Sequence, residues 1–288
     1  SRLHWLISRR PGGALLVRTA LTILLASAGW FSASAHPVDP TRTTYLGNEG
    51  IMVRDGQSTI LFDPLYPNGF GTYQMVPEAT RQALMAGDAP YEQVDAIFIS
   101  HMHPDHFSVD EVILYLERHK QVRLYAPSQA VEWMREEAKN DAIFERVIAV
   151  PLERLDAPLT YQEGELVIDV VRIPHAGWPG RAGVSNLVWR VTLTEGVTVM
   201  HLGDADPDDA HFAAHADHWT ATRTDVAYPP YWFFLSQDGQ RIVDSRLNAK
   251  TATGVHVPIK LPPDLFVSGQ DFLHKPGETR TLKVTADE

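Results

Sequence analysis

The sequence predicts an α/β domain, and three observations predict it. Between residues 94 and 150, apolar runs of strand type alternate with stretches whose apolar residues recur at helical spacing, the trace that βαβ units leave in a sequence. The chain has 288 residues, 44 % of them hydrophobic, which is enough for one large core. One strand-like run, residues 94–99, feeds straight into Ser100-His101-Met102-His103-Pro104-Asp105-His106. Sheets of α/β type place their chemistry where strands release side chains at a carboxyl edge.

Residues 1–35 stand apart. Arg2, Arg9 and Arg10 precede Ala14-Leu15-Leu16-Val17, a second apolar run covers residues 21–26, and Ala33-Ser34-Ala35 closes the segment. A basic start, a short apolar run and an Ala-x-Ala end read as a secretory signal peptide cleaved before His36. That reading predicts a periplasmic or secreted protein. Arg18 interrupts the apolar segment, and the run after it is too short for a membrane span, so no stable span is expected once the leader is gone. Ser8-Arg9-Arg10 shares only its arginine pair with twin-arginine export signals, since Pro11-Gly12-Gly13 departs from them. The expected plan is a leader over 1–35 and a single domain over 36–288. Losing the leader's four arginines takes the formal charge from −11 to −15. Nucleic acid, whose phosphates demand a basic face, is therefore excluded as a partner. The chain has no cysteine, so any metal must be held by nitrogen and oxygen.

The domain opens with strands at residues 43–54 and 58–62 around Asp55-Gly56, a strong hairpin turn. The second strand ends in Asp63-Pro64. Residues 64–76 are rich in proline, glycine and tyrosine and form a loop, either a wall or lid beside a substrate or a long loop packed onto the body. A short helix is expected over 77–85, ended by Gly87.

The histidine motif comes next. Six residues, His101 to His106, hold three imidazoles and a carboxylate, all first-choice ligands for a borderline divalent metal. In extended chain, residues two apart point the same way, so His101 and His103 can grip one ion together. Pro104 forces a turn, which swings Asp105 and His106 towards a second position.

After the motif, residues 109–118 predict a helix with Val109, Val112, Ile113 and Leu116 on one face. A strand (122–126), a helix (128–139) and a strand (147–150) follow. The pattern then turns to strands, over 159–173 with a break at Gly164, over 184–191 and over 197–202. His211, His215 and His218 have the spacing of one helical face, read as a solvated helix face or local packing, with a separate zinc-binding surface as the competing reading. Residues 237–248 predict a helix, 252–258 a strand end carrying His256, and 279–284 a strand in the tail.

His-x-His-x-Asp-His after an apolar strand resembles the signature of the metallo-β-lactamase-fold hydrolases. That resemblance implies a four-layer αβ/βα sandwich with a one- or two-metal site at one edge of its two sheets. It implies that His101 and His103 serve one metal and that Asp105 and His106 serve the other. It also asks for a histidine, a bridging aspartate and a last histidine after later strands. The sequence offers His175 after residues 165–173, Asp204 after 197–202, and His256. His175 would complete the first set, Asp204 would bridge, and His256 would complete the second. Asp63 matches a recurrent carboxylate that supports the histidine ligands, orienting an imidazole and raising its basicity. His201 is read as a core or supporting residue. Tyr45-Leu46-Gly47-Asn48-Glu49-Gly50, Phe62-Asp63-Pro64 and His201-Leu202-Gly203-Asp204 are most similar to the branch of ascorbate-phosphate lactonases and N-acylphosphatidylethanolamine phospholipase D.

The function this implies is an exported hydrolase that uses a metal-bound hydroxide at a dinuclear site on a small lactone, ester or amide. The two ions would be zinc first, with manganese, iron or nickel as alternatives. Asp105 and Asp204 are the candidate catalytic groups for proton transfer to the leaving group. Two other readings stay open: a phosphodiesterase on a small molecule or lipid headgroup, and a non-catalytic metal-binding protein. Arg172, Arg181 and Arg223 are the basic residues nearest in sequence for the phosphodiesterase. Trp178, Tyr228, Tyr231 and Trp232 either line an apolar substrate pocket or belong to the core.

Overall fold

The computed structural model describes residues 39–282. The leader read over residues 1–35, and the last part of the expected tail strand, lie outside them.

Thirteen strands form two mixed sheets among the described residues. The first half of the chain supplies β1 (Arg42–Gly47), β2 (Gly50–Arg54), β3 (Thr59–Phe62), α1 (Glu78–Ala86), β4 (Ala96–Phe98), α2 (Val109–Arg118), β5 (Arg123–Pro127), α3 (Ser128–Glu137) and β6 (Val147–Val150). The second supplies β7 (Leu159–Glu163), β8 (Leu166–Arg172), β9 (Leu187–Thr192), β10 (Thr198–His201), α4 (Asp209–Ala213), α5 (Ala216–Ala221), β11 (Thr224–Tyr228), α6 (Gln237–Arg241), β12 (Ala249–Ala252), α7 (Pro263–Val267) and β13 (Thr279–Thr281). One sheet runs β13-β1-β2-β3-β4-β5-β6, and the other runs β12-β11-β10-β9-β8-β7. The pairs from β3 to β6 and from β10 to β12 are parallel, joined by crossovers, and the rest are antiparallel.

Alternation along the strands builds the layers. Ile60 and Phe62 of β3 face the second sheet, with Ile168, Val170 and Val199 opposite them. Leu61, between them, faces outward under the helices α1 to α3 with Met52 and Ile97. On the second sheet, Val171 and Met200 face outward beneath Phe212, Trp219 and Leu265. Period-two side chains thus give each sheet two apolar faces. Helix, sheet, sheet, helix is the four-layer sandwich that the resemblance implied. Its carboxyl edge gathers the ends of β3, β4, β8, β10 and β11.

The helix over 109–118 has the expected bounds, because Ser108 caps it by accepting Glu111 N–H at 3.3 Å. Three expectations are corrected. His211, His215 and His218 do not share one helix. Phe212 O, the acceptor a continuous helix would give to Ala216, is taken by the Trp219 indole at 2.7 Å and by His215 N–H, so the chain breaks into α4 and α5. The helix over 237–248 is α6 followed by a wider π-type turn over Ile242–Arg246. His256 is not at a strand end. β12 stops at Ala252, and His256 sits in a loop with left-handed backbone (φ 59°), its N–H on Asn48 O at 3.1 Å.

Candidate metal centre and substrate cavity

Five loops converge at the edge. Those after β4, β8 and β10 bring His101, His103, His175 and Asp204 together, with one ligand-type atom of each within 4.8 Å of the others. Asp105, His106 and His256 form a second group by the same measure. Asp204 faces both. Its Oδ2 lies 3.2 Å from His175 Nε2 and 3.7 Å from His101 Nε2. Its Oδ1 lies 3.1 Å from the Nε2 atoms of both His106 and His256, without the alignment of a hydrogen bond. Asp105 Oδ2 stands 3.5 Å from each of the same two nitrogens. The seven candidate ligands read from the sequence are thus all brought together.

The imidazoles are oriented from behind. Ser100 donates its hydroxyl to Asp63 Oδ2 at 2.6 Å, so its oxygen accepts Nδ1–H of His101 at 2.9 Å. His175 donates Nδ1–H to Ala176 O at 2.8 Å. His106 donates Nδ1–H to Asp63 Oδ2 at 2.9 Å. In each ring Nδ1–H is taken by one of these acceptors, which leaves Nε2 facing the centre, the atom that a metal-ligating histidine offers. Asp63 thereby holds both Ser100 and His106, in the supporting position the sequence suggested.

Backbone strain marks the same place. Asn48 (φ 46°), Asp63 (φ 41°) and His256 (φ 59°) are left-handed without being glycine, at a cost of order 1–3 kcal/mol each. Asn48 ties two loops together, donating its amide to Asp105 O at 2.9 Å and accepting His256 N–H. Gly203 (φ 56°) precedes Asp204, and a Cβ there would sit 2.4 Å from Asn186 Oδ1. Asn186 in turn accepts Asp204 N–H at 3.0 Å.

Electrostatics separates the groups. Burial, and then the charge on His106, pushes His101 well below its ordinary value, and burial also lowers His103. Burial works to raise Asp204, but the charges of His256, His106 and His101 outweigh it, and the carboxyl is held well below the usual range. For Asp105, burial works to raise the carboxyl, but the imidazoles of His106 and His256, 3.5 Å away, outweigh it and hold it low. His256 is pushed up to about 9, since Asp204 and Asp105 outweigh its burial.

His101 Nε2, His175 Nε2 and Asp204 Oδ1 are buried with no hydrogen-bond partner. Buried polar atoms left without partners are costly; a cation beside Asp204 Oδ2 would satisfy His101 and His175, and one beside Oδ1 would satisfy that oxygen. The residues therefore fit divalent metal. Glu49, Asp63 and His201 form another buried group behind His106, but it is not a further ion site. Asp63 is occupied, and His201 gives Nε2–H to Glu49 O at 2.9 Å while stacking on Phe62.

A cavity of about 450 Å³ opens over the centre, walled by Phe70, Tyr73, Trp232 and Arg181. The loop of residues 64–76 thus forms a wall. Tyr73 meets His256 edge-on at 4.1 Å, and Trp232 donates its indole N–H to Ala205 O at 3.1 Å. Of the four aromatics proposed for the substrate, Trp232 alone is among the lining residues. Tyr228 is a correction: it is fully buried between the sheets with its hydroxyl on Thr43. Trp178 packs with His211 beneath the Arg154 guanidinium, and Tyr231 packs edge-on against Trp232. Ser100, Asn48, Asn186, Phe70 and Tyr73 were missed as site residues. Phe70 and Tyr73 had a signal in the aromatic loop after Asp63, whereas Asn186 had none.

Together the sandwich and the centre define a metal-dependent hydrolase of the metallo-β-lactamase fold. Residues 42–230 match the family described as the Beta-lactamase superfamily domain, and the chain belongs to that superfamily. Solved structures share the fold. The metallo-β-lactamase fold protein YhfI from Bacillus subtilis is 18 % identical, with 84 % of this chain and 99 % of that one covered at a TM-score of 0.56. A possible metal-dependent hydrolase from Veillonella parvula is 17 % identical over 84 % and 100 %, TM-score 0.58. A metallo hydrolase, Igni18, from Ignicoccus hospitalis is 17 % identical over 85 % and 99 %, TM-score 0.57. No helix among the described residues is long and apolar enough to cross a membrane.

Proposed function

We propose that this protein is an exported two-metal hydrolase of a small lactone, ester or amide, with a leader removed before His36 and one catalytic domain behind it. The observation that carries the reading is Asp204, whose two oxygens face two different histidine sets. His101, His103 and His175 would hold one ion, Asp105, His106 and His256 the other, with Asp204 shared. Divalent ions there, zinc first and manganese, iron or nickel as alternatives, would lower the pKa of a bound water towards neutrality and polarise the substrate's carbonyl oxygen.

The chain's own part is positioning. Asp63, Ser100 and the Ala176 carbonyl hold three imidazoles in the ligating tautomer. Asp105 and Asp204, both kept ionised, are placed to take and pass a proton to the leaving group. Phe70, Tyr73 and Trp232 exclude water from an apolar substrate body. The opening hairpin and His201-Leu202-Gly203-Asp204 support placing the protein near the ascorbate-phosphate lactonase and N-acylphosphatidylethanolamine phospholipase D branch.

A phosphodiesterase has less support, because a cluster of basic groups is missing from the described cavity wall. Arg172 spends its guanidinium on Leu152 O, Glu153 and Ala182 O. Arg223 precedes β11, at the end of that strand remote from the site. The complete donor set argues against a non-catalytic binder. The test is a panel of lactones, esters and phosphodiesters, with nitrocefin as a β-lactam, on the zinc- or manganese-loaded protein and on Asp204→Ala. Turnover of a lactone or ester, lost in the variant, is the expected result. Turnover of phosphodiesters alone, or no turnover with metal bound, would overturn it.

A further inference from the structure

Arg181 is the one arginine or lysine among the residues lining the cavity. Its guanidinium has no hydrogen bond, ion pair or ring partner among the described residues. Arg42, Arg118 and Arg223 likewise have no side-chain partner among the described residues, but none of them lines the cavity. Arg154, Arg172, Arg190 and Arg246 all find partners.

The loop that carries Arg181 is pinned at every side. Asp206 accepts Gly177 N–H at 3.1 Å and Trp178 N–H at 3.2 Å. Arg172 donates to Ala182 O at 3.2 Å. Gln129 donates to Gly183 O at 2.8 Å and accepts Ser185 N–H at 3.0 Å. The arginine stem lies against Gly177, where a Cβ would already be 3.6 Å from its Cδ. A held backbone therefore presents an unspent planar cation beside the apolar wall of Phe70, Tyr73 and Trp232. Guanidinium pairs bidentately with carboxylate and phosphate oxygens.

We propose that Arg181 is a specificity residue, and that the substrate carries an oxyanion, a carboxylate or phosphate, on an apolar body beside its scissile bond. This deepens the hydrolase reading and rests on it for the identity of the cavity. Arg181 takes no part in the chemistry; it selects and orients the anionic end while the aromatic wall receives the body.

The deciding experiment is equilibrium binding by calorimetry of 3-phenylpropionate, phenyl phosphate and neutral 3-phenylpropionamide to the zinc-loaded protein, to Arg181→Gln and to Arg181→Lys. The expected result is tighter binding of at least one anion than of the amide. That preference should fall about ten- to a hundredfold in Arg181→Gln and less in Arg181→Lys. Loss confined to one anion names the carboxylate or the phosphate as the partner. No anion preference in the wild type, or an equal preference in Arg181→Gln, overturns the proposal. A kinetic arm compares mono-4-nitrophenyl glutarate with its methyl ester, where the kcat/KM ratio of acid to ester should fall by a similar factor. If neither ester is turned over, the hydrolase reading suffers, while the binding arm still judges Arg181.

Discussion

His106 donates Nδ1–H to Asp63 Oδ2 over 2.9 Å, and both side chains are buried from solvent. A strand-end aspartate and an imidazole 43 residues later are thus one unit. The same carboxylate holds Ser100, which holds His101, so Asp63 reaches both histidine sets. Replacing it with asparagine keeps the shape but removes the negative acceptor. Asp63→Asn should bind metal about ten- to a hundredfold more weakly, read by competition with a chelator of known affinity. Unchanged affinity would reduce Asp63 to a packing residue.

The two sets should empty separately. His175 belongs to the group with His101 and His103, and His256 to the group with Asp105 and His106. His175→Ala and His256→Ala should each retain one metal equivalent fewer than the wild type after gel filtration, measured by elemental analysis. Loss of both equivalents in either variant would mean that the ions bind as one cooperative unit.

Gly203 has no room for a side chain. Its backbone is left-handed, and an added Cβ would lie 2.4 Å from Asn186 Oδ1 and 2.7 Å from Ser100 Cβ. Gly203→Ala should cost on the order of 2–3 kcal/mol, a fall in Tm of roughly 5–10 °C for a domain of this size. A Tm within one degree of wild type would show that Asn186 and Ser100 yield freely.

His218 lies far from the centre and gives a pH dependence. Burial, and then the Arg190 charge, lowers it to about 4, against a smaller opposing pull from Asp169, with His215 also lowering it. The folded protein keeps the ring neutral while the unfolded chain protonates it near pH 6.5. Its contribution is therefore complete above pH 6.5 and is lost as pH falls towards 4, by at most about 3 kcal/mol. Urea midpoints at pH 7 and pH 5 should differ less in His218→Gln than in the wild type. An equal difference in both would assign the acid sensitivity elsewhere.

Much of the fold was legible because each half of the sandwich announces itself locally. Residues 94–99 end a strand where expected, and Val109, Val112, Ile113 and Leu116 mark a helix seen over the same residues. The readings that failed were those where a distant group decided the conformation. The spacing of His211, His215 and His218 suits one helix, but the Trp219 indole takes the carbonyl that the helix needed. Tyr228 looked as available as Trp232, yet β11 turns it between the sheets and the next loop turns Trp232 into the cavity.

By itself the sequence determined an α/β domain and the His101–His106 motif, because period-two strands, helical faces and the His-x-His-x-Asp-His spacing are short-range patterns, while the layered sandwich and His175, Asp204 and His256 were implied by the family resemblance which that motif carries. Tertiary structure alone decided which oxygen of Asp204 faces which histidine, which groups meet Nδ1 of His101, His106 and His175, and that Arg181 stands without a side-chain partner over the cavity. Those facts depend on Asp63, Ser100, Asn186 and Asp206, residues far apart in the chain. Their hydrogen bonds form only once the two sheets close against each other and bury the groups that must then find partners.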